Sequence, residues 1–264
     1  MVNFTATRLV ALLLISVVSG IFLEDMYPYP YNGIAGADDQ LLGPTDDGSS
    51  PVIYFNFKFF NKAYDTIYVN NNGHLSFTGQ YSRYSPQPFP DTAPLIALFW
   101  IDVDTRTTGE VWYKLTNDSA LLTRAKADIA NYYDNQTTFQ PTSVFTATWL
   151  DVPYYNAAGV DATKRNTFQV VLVTDGVKSF AMFHYQTIEW AGYANGNTHA
   201  MVGFNAGDNV NSYTLNNYNY DDITNLEYRS NIGVPGKFIF RVDGTAILAA
   251  GDAILMGKFQ LFCS

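Results

Sequence analysis

The chain has 264 residues with 47% apolar, 16% aromatic and only 15% charged side chains, so it can build a sizeable core, and neither long solvated helices nor disorder are expected. Fifteen basic against 24 acidic residues give a net charge of −9, and no cluster of Lys or Arg occurs. Binding to nucleic acid or to anionic lipid is therefore not expected, because both need concentrated positive charge.

Residues 1–20, MVNFTATRLVALLLISVVSG, read as a secretory signal peptide. Arg8 supplies the basic start, Leu9 to Val18 the apolar run, and Val18 and Gly20 the small residues before a cut near Gly20–Ile21. The run is too short to span a bilayer. Residues 24–51 are rich in Asp, Gly, Pro and Tyr and form an irregular lead-in. Val52–Phe59 alternates, with Ile53, Phe55, Phe57 and Phe59 on one face and Tyr54, Asn56 and Lys58 on the other, the period of a half-buried strand. Thr66–Val69 and His74–Thr78 flank Asn70-Asn71-Asn72-Gly73, whose Asn-Gly pair suits a tight hairpin. Four prolines in 81–94 exclude a central strand there.

Leu95–Val103 is nearly continuously apolar and predicts a fully buried strand, followed by another at Gly109–Leu115. The one prominent helix is expected over 119–134: Leu121, Leu122, Ala125, Ile129, Tyr132 and Tyr133 share a face, and Asp118 or Ser119 can cap it. Further strands are expected at Val144–Val152, Thr167–Thr174, Ser179–Tyr185, Thr187–Trp190, His199–Asn205, Tyr213–Leu215 and Phe238–Val242, with a turn at Asp175-Gly176. The pattern predicts a mainly β, single antiparallel β-sandwich-like domain over 24–243. Residues 244–264 form an apolar tail of unassigned role. Asp252 and Lys258 would each cost about 3 kcal/mol at a bilayer centre, which argues against a transmembrane span.

Catalytic signatures are scarce. No G-x-S-x-G occurs, and His74, His184 and His199 lie in no triad or zinc pattern. Asp102 and Asp104, two apart at a strand end, point to one face. They are candidate calcium ligands, a candidate carboxylate pair for cleaving a glycosidic bond, or partners of Arg106 in a turn. Asp46 and Asp47 read as an Asx-type turn with Gly48. No other cofactor is implied. Loop tyrosines Tyr27, Tyr29, Tyr31, Tyr81, Tyr84, Tyr154, Tyr155, Tyr218 and Tyr220 offer recognition of protein or glycan, or pack on the sandwich. Asn117-Asp118-Ser119 and Asn135-Gln136-Thr137 are glycosylation sequons. The lone Cys263 excludes a disulfide within the chain and suggests an intermolecular one, or a chain that stops where a cysteine-bearing neighbour begins.

One ordered series of segments is more specific than any single motif: TDDGSSP (45–51), FKFFNKAYDTIYVNNNGHLSF (57–77), PFP (88–90), LIALFWIDVDTR (95–106), VFTATWLDVPYY (144–155), NTFQVVLVTDGVKSFAMFHY (166–185), VGFNAGD (202–208) and SNIGVPGKFIFRVD (230–243). The series resembles the nidogen-type extracellular (NIDO) domain of alpha-tectorin-like and mucin-like matrix proteins. The resemblance implies a secreted, non-catalytic module of cell–matrix adhesion or matrix assembly. It implies matrix or cell-surface glycoproteins as partners. A glycan-binding or glycan-cleaving protein using the loop tyrosines and Asp102/Asp104 is the alternative.

Overall fold

A computed structural model describes residues 20–133, 138–192, 198–215 and 220–252. Thirteen strands run in chain order among the described residues: β1 (Gln40–Leu42), β2 (Ile53–Phe59), β3 (Lys62–Asn70), β4 (His74–Ser76), β5 (Leu95–Trp100), β6 (Glu110–Thr116), β7 (Ser143–Val152), β8 (Asn166–Thr174), β9 (Ser179–Ile188), β10 (Met201–Asn205), β11 (Ser212–Thr214), β12 (Lys237–Arg241) and β13 (Leu248–Ala249). Helix α1 spans Ser119–Ala130 and the short α2 spans Tyr220–Thr224. One sheet has the order β1-β6-β7-β8-β9-β12-β13 and the other β11-β10-β5-β4-β3-β2, with antiparallel pairing throughout. The expected β-sandwich is the fold.

The two inner faces meet in an aromatic core. Phe55, Phe57 and Phe59 of β2 project inward at period two, as their alternation predicts, and Phe55 stacks on Phe145 of β7 at 5.8 Å between centroids. Trp149 stacks on Phe168 at 5.2 Å, and Phe204 lies 5.0 Å from both Phe183 and Phe240. Each such ring removed from water contributes about 1.5–3 kcal/mol, enough to sustain a fold without disulfides.

The first sheet is also covered outside, which is why β8 is buried along its whole length. Ala125 and Ile129 of α1 pack on Val144, Val171, Val173, Phe180 and Met182. The Asp118 side chain caps the helix by accepting from the amides of Ala120 (3.1 Å) and Leu121 (3.0 Å). The helix is shorter than its apolar pattern suggests. After Ala130 the chain turns, and Tyr133 donates to the Leu248 carbonyl at 2.7 Å instead of extending the helical face.

An N-terminal strap lies on the same outer face. The Tyr27 amide donates to Gln169 Oε1 at 2.8 Å, Gln169 Nε2 donates back to the Tyr27 carbonyl at 2.9 Å, and the Arg124 guanidinium lies 4.2 Å from the Tyr27 ring centroid. The second sheet is covered over β5 and β10 by the proline-rich 81–94 segment, whose Tyr81 and Phe89 pack on Trp100.

Three strand assignments also differ from the sequence reading. Thr187 continues β9 rather than starting a new strand, because Asn166 and Thr167 of β8 remain paired with Ile188 and Thr187. Gln40–Leu42 joins the sheet edge beside β6, a strand too short for periodicity to reveal. Leu248–Ala249, within the 244–264 tail, pairs with Phe240 and Arg241 of β12.

Gly73 follows the buried asparagines of the β3–β4 turn with φ +76°, and a Cβ there would stand 2.1 Å from the Phe99 carbonyl oxygen. Gly73→Ala therefore combines backbone strain with a clash against rigid main chain. Gly33 has a similar φ of +75° but open space around it. Denaturant unfolding should show Gly33→Ala losing about 1 kcal/mol. Gly73→Ala should lose more than about 3 kcal/mol or fail to fold. Equal losses would contradict the role given to Phe99.

Candidate functional site

The turn Asn70-Asn71-Asn72-Gly73 is buried, and its amide side chains reach into the neighbouring segments. The Asn71 amide donates to the Gly48 carbonyl at 2.8 Å, its side-chain Nδ2 donates to the Val103 carbonyl, and its own carbonyl accepts from Trp149 Nε1 at 2.8 Å. Asn72 Oδ1 accepts from the Val103 amide at 2.8 Å, and its Nδ2 donates to Asp47 Oδ1 at 2.6 Å. The Thr105 amide donates to the Thr45 carbonyl at 3.0 Å. The 44–50 loop and the 101–106 segment are thus drawn together at one end of the sandwich.

Their acidic residues converge there. Asp46 and Asp104 face each other as an antiparallel bridge. Carboxylate oxygens of Asp46, Asp47 and Asp102 lie within 4.8 Å of one another, and Asp102 is only 7% exposed. Asp104 does not join this trio. Its Oδ1 accepts from Arg106 Nε at 2.9 Å and its Oδ2 from Arg106 Nη2 at 2.6 Å, while Asp46 Oδ2 lies 3.1 Å from the same Nη2. Alternation along an extended strand would place Asp102 and Asp104 side by side. The main chain instead leaves strand geometry after Trp100, so the two carboxylates part. The hydrogen bonds from Arg106 hold the Asp104 carboxyl below its ordinary range. Burial raises that of Asp46, with Asp104 and Asp47 adding to the rise and Arg106 opposing it.

Arg106 also lies 5.6 Å from the Tyr155 ring centroid. Beside it opens a groove of about 430 Å³ lined by Leu42, Pro44, Thr107, Thr108, Glu110 and Asp151.

The loop tyrosines divide. Tyr27, Tyr29 and Tyr154 are buried parts of the fold, whereas Tyr31 (56% exposed) and Tyr84 (52%) face solvent. Tyr218, Asn135 and Cys263 lie outside the described residues, as does the side chain of Tyr220. Tyr54, 76% exposed on the edge strand β2, is the most exposed aromatic among the described residues. Its place on the polar face of an alternating strand was the signal for it. Asn117 is exposed at the β6–α1 junction.

Two histidines serve the interior. His184 Nδ1 lies 3.2 Å from Gln169 Oε1, with the Tyr27 ring stacked 5.9 Å away. Both ring nitrogens of His74 face carbonyl oxygens, Nδ1 that of Asn72 (3.2 Å) and Nε2 that of Tyr81 (2.9 Å).

A family model described as the nidogen-like domain matches residues 65–244. The chain belongs to the nidogen-like domain family. It is 39% identical to alpha-tectorin of Mus musculus over 249 residues, covering 89% of this chain and 11% of that protein. It is 30% identical to nidogen of Drosophila melanogaster (92% and 19%) and 28% identical to dendrite extension defective protein 1 of Caenorhabditis elegans (95% and 21%). The chain thus spans between about a tenth and a fifth of the length of these relatives. No solved structure matches it. Membership places this nidogen-like protein among extracellular matrix modules. Among the described residues no helix is long and apolar enough to cross a membrane.

Burial lowers the His74 pKa to about 4 although both carbonyl contacts favour the charged ring. The ring is neutral in the fold, so below pH 6.5 the unfolded chain binds the proton first and stability falls until about pH 4. Buried His184 is shifted the same way, while the raised carboxyls of Asp46 and Glu227 act with opposite sign. Denaturant unfolding of the protein should therefore weaken from pH 7 to pH 4, with about 3 kcal/mol as the full His74 contribution. His74→Gln should flatten that slope, and an unchanged slope would contradict a neutral buried ring.

Proposed function

We propose that this nidogen-like module is non-catalytic and acts by binding matrix or cell-surface glycoproteins. The observation that carries this reading is that three of the side chains able to do acid–base chemistry are engaged in holding the fold. His74 faces two main-chain carbonyls, His184 faces Gln169, and Asp104 is clamped by Arg106. What stands ready at the surface is contact area: Tyr54, Tyr84, and the groove beside Arg106. Tyrosine gives large contact area at low entropic cost, which suits recognition.

Secreted protein passed over immobilised collagen, laminin and mucin should be retained on at least one. Tyr54→Ala or Tyr84→Ala should then weaken retention about tenfold where the ring is an anchor. No retention on any of the three would count heavily against the reading. Glycan turnover that is abolished in Asp102→Asn with Asp104→Asn would replace it with the catalytic alternative.

A calcium ion is a second reading, favoured by the closeness of the Asp46, Asp47 and Asp102 oxygens rather than by an Asp102/Asp104 pair. Three carboxylates, carrying up to six oxygens, would need main-chain or water oxygens to complete a usual shell. A bound ion would raise the melting temperature in millimolar calcium relative to EDTA. Coincident melts would reject it.

A further inference from the structure

We infer that Asn117 is an N-glycosylation site, and that its glycan stands at the end of the sandwich opposite the acidic loops. Glycosylation precedes completion of the fold, so an occupied asparagine must end where the folded protein leaves room for a branched sugar. Asn117 meets that condition. It and the two residues after it are exposed, between the last residue of β6 and the first turn of α1. The buried asparagines are the opposite case. Asn70, Asn71, Asn166 and Asn205 are wholly buried, Asn72 nearly so, and none is followed two positions later by Ser or Thr.

The local hydrogen bonds do not use the acceptor amide. Asp118 supplies the helix cap through Oδ1, the Asp118 amide donates to Thr116 Oγ1 at 3.2 Å, and the Ser119 carbonyl accepts from Thr123 Oγ1 at 2.8 Å. The attached sugar would therefore cost the fold neither the cap nor the helix start.

Register fixes which end carries it. Thr116 pairs with Val144, near the Thr174–Ser179 hairpin, whereas Glu110 at the other end of β6 pairs with Leu150. Glu110 lines the groove that includes Arg106. Seven residues of strand separate the two by about 20 Å. In the reaction, Asn117 Nδ2 bonds to the anomeric carbon of an oligosaccharide carried on a lipid pyrophosphate. The anomeric carbon–oxygen bond breaks, the lipid pyrophosphate leaves with the electron pair, and one amide proton is released to a base.

The test uses protein secreted by a eukaryotic host. Peptide-N-glycosidase treatment in heavy-oxygen water should convert Asn117 to labelled Asp, read by mass spectrometry of its peptide in the unaltered protein. In an Asn135→Gln background, a glycan should remain and be wholly lost on adding Asn117→Gln or Ser119→Ala, yet kept with Ser119→Thr. An unlabelled Asn117 peptide from secreted protein, or a glycan that survives Asn117→Gln in that background, would overturn the assignment. The first readout needs no variant, so a variant that fails to be secreted does not blunt the test.

Discussion

The structure depends on one buried polar turn. Asn70, Asn71 and Asn72 sit at the closed end of the β3–β4 hairpin, buried beside a core that is mainly aromatic and aliphatic. Buried amides are costly unless paired, and here their partners come from separate stretches of chain: Gly48, Asp47, Val103 and Trp149. The Gly73 carbonyl accepts from both Leu98 (3.2 Å) and Phe99 (3.0 Å), where the alternation of β5 breaks: both side chains join the core and Trp100 packs outward on Tyr81 and Phe89. Satisfying these few groups ties the second sheet to β7 of the first and brings the 44–50 and 101–106 loops together.

That tie explains the electrostatics of the loop end. Hydrogen bonding forces four aspartates into one neighbourhood with a single guanidinium between Asp46 and Asp104. Asp104 is stabilised as an anion by Arg106, while Asp46 is pushed toward its protonated form by burial and by its neighbours. Of the readings open for the two-residue spacing, the turn with Arg106 holds for Asp104, while Asp102 joins an acidic trio with Asp46 and Asp47.

Layering explains the division of labour among the aromatics. The first sheet is sealed on its outer face by α1 and the N-terminal strap, and among the described residues the second is covered where the 81–94 segment crosses it. Tyr27 therefore belongs to the interior despite lying in a loop, and Tyr54 faces water despite lying in a strand. Surface available for recognition is left at the uncovered edge of β2 and at the loop end. This distribution fits a matrix module whose relatives carry it as a small part of much longer chains.

The sequence by itself determined the β-sandwich, the helix with a cap at Asp118 or Ser119, the Asn-Gly hairpin and the family, because each rests on local periodicity, local capping chemistry or an ordered string of motifs. The strands with strong alternation or continuous apolar runs were legible within a few residues. Tertiary structure alone decided what depends on partners distant in the chain. It added β1 and β13 to sheet edges, sent Asp102 to Asp46 and Asp47, and sorted buried from exposed tyrosines. A two- or three-residue strand carries too little period to be read. A side chain's partner across 30 to 80 residues of sequence is set by hydrogen bonds that exist only once both sheets have closed.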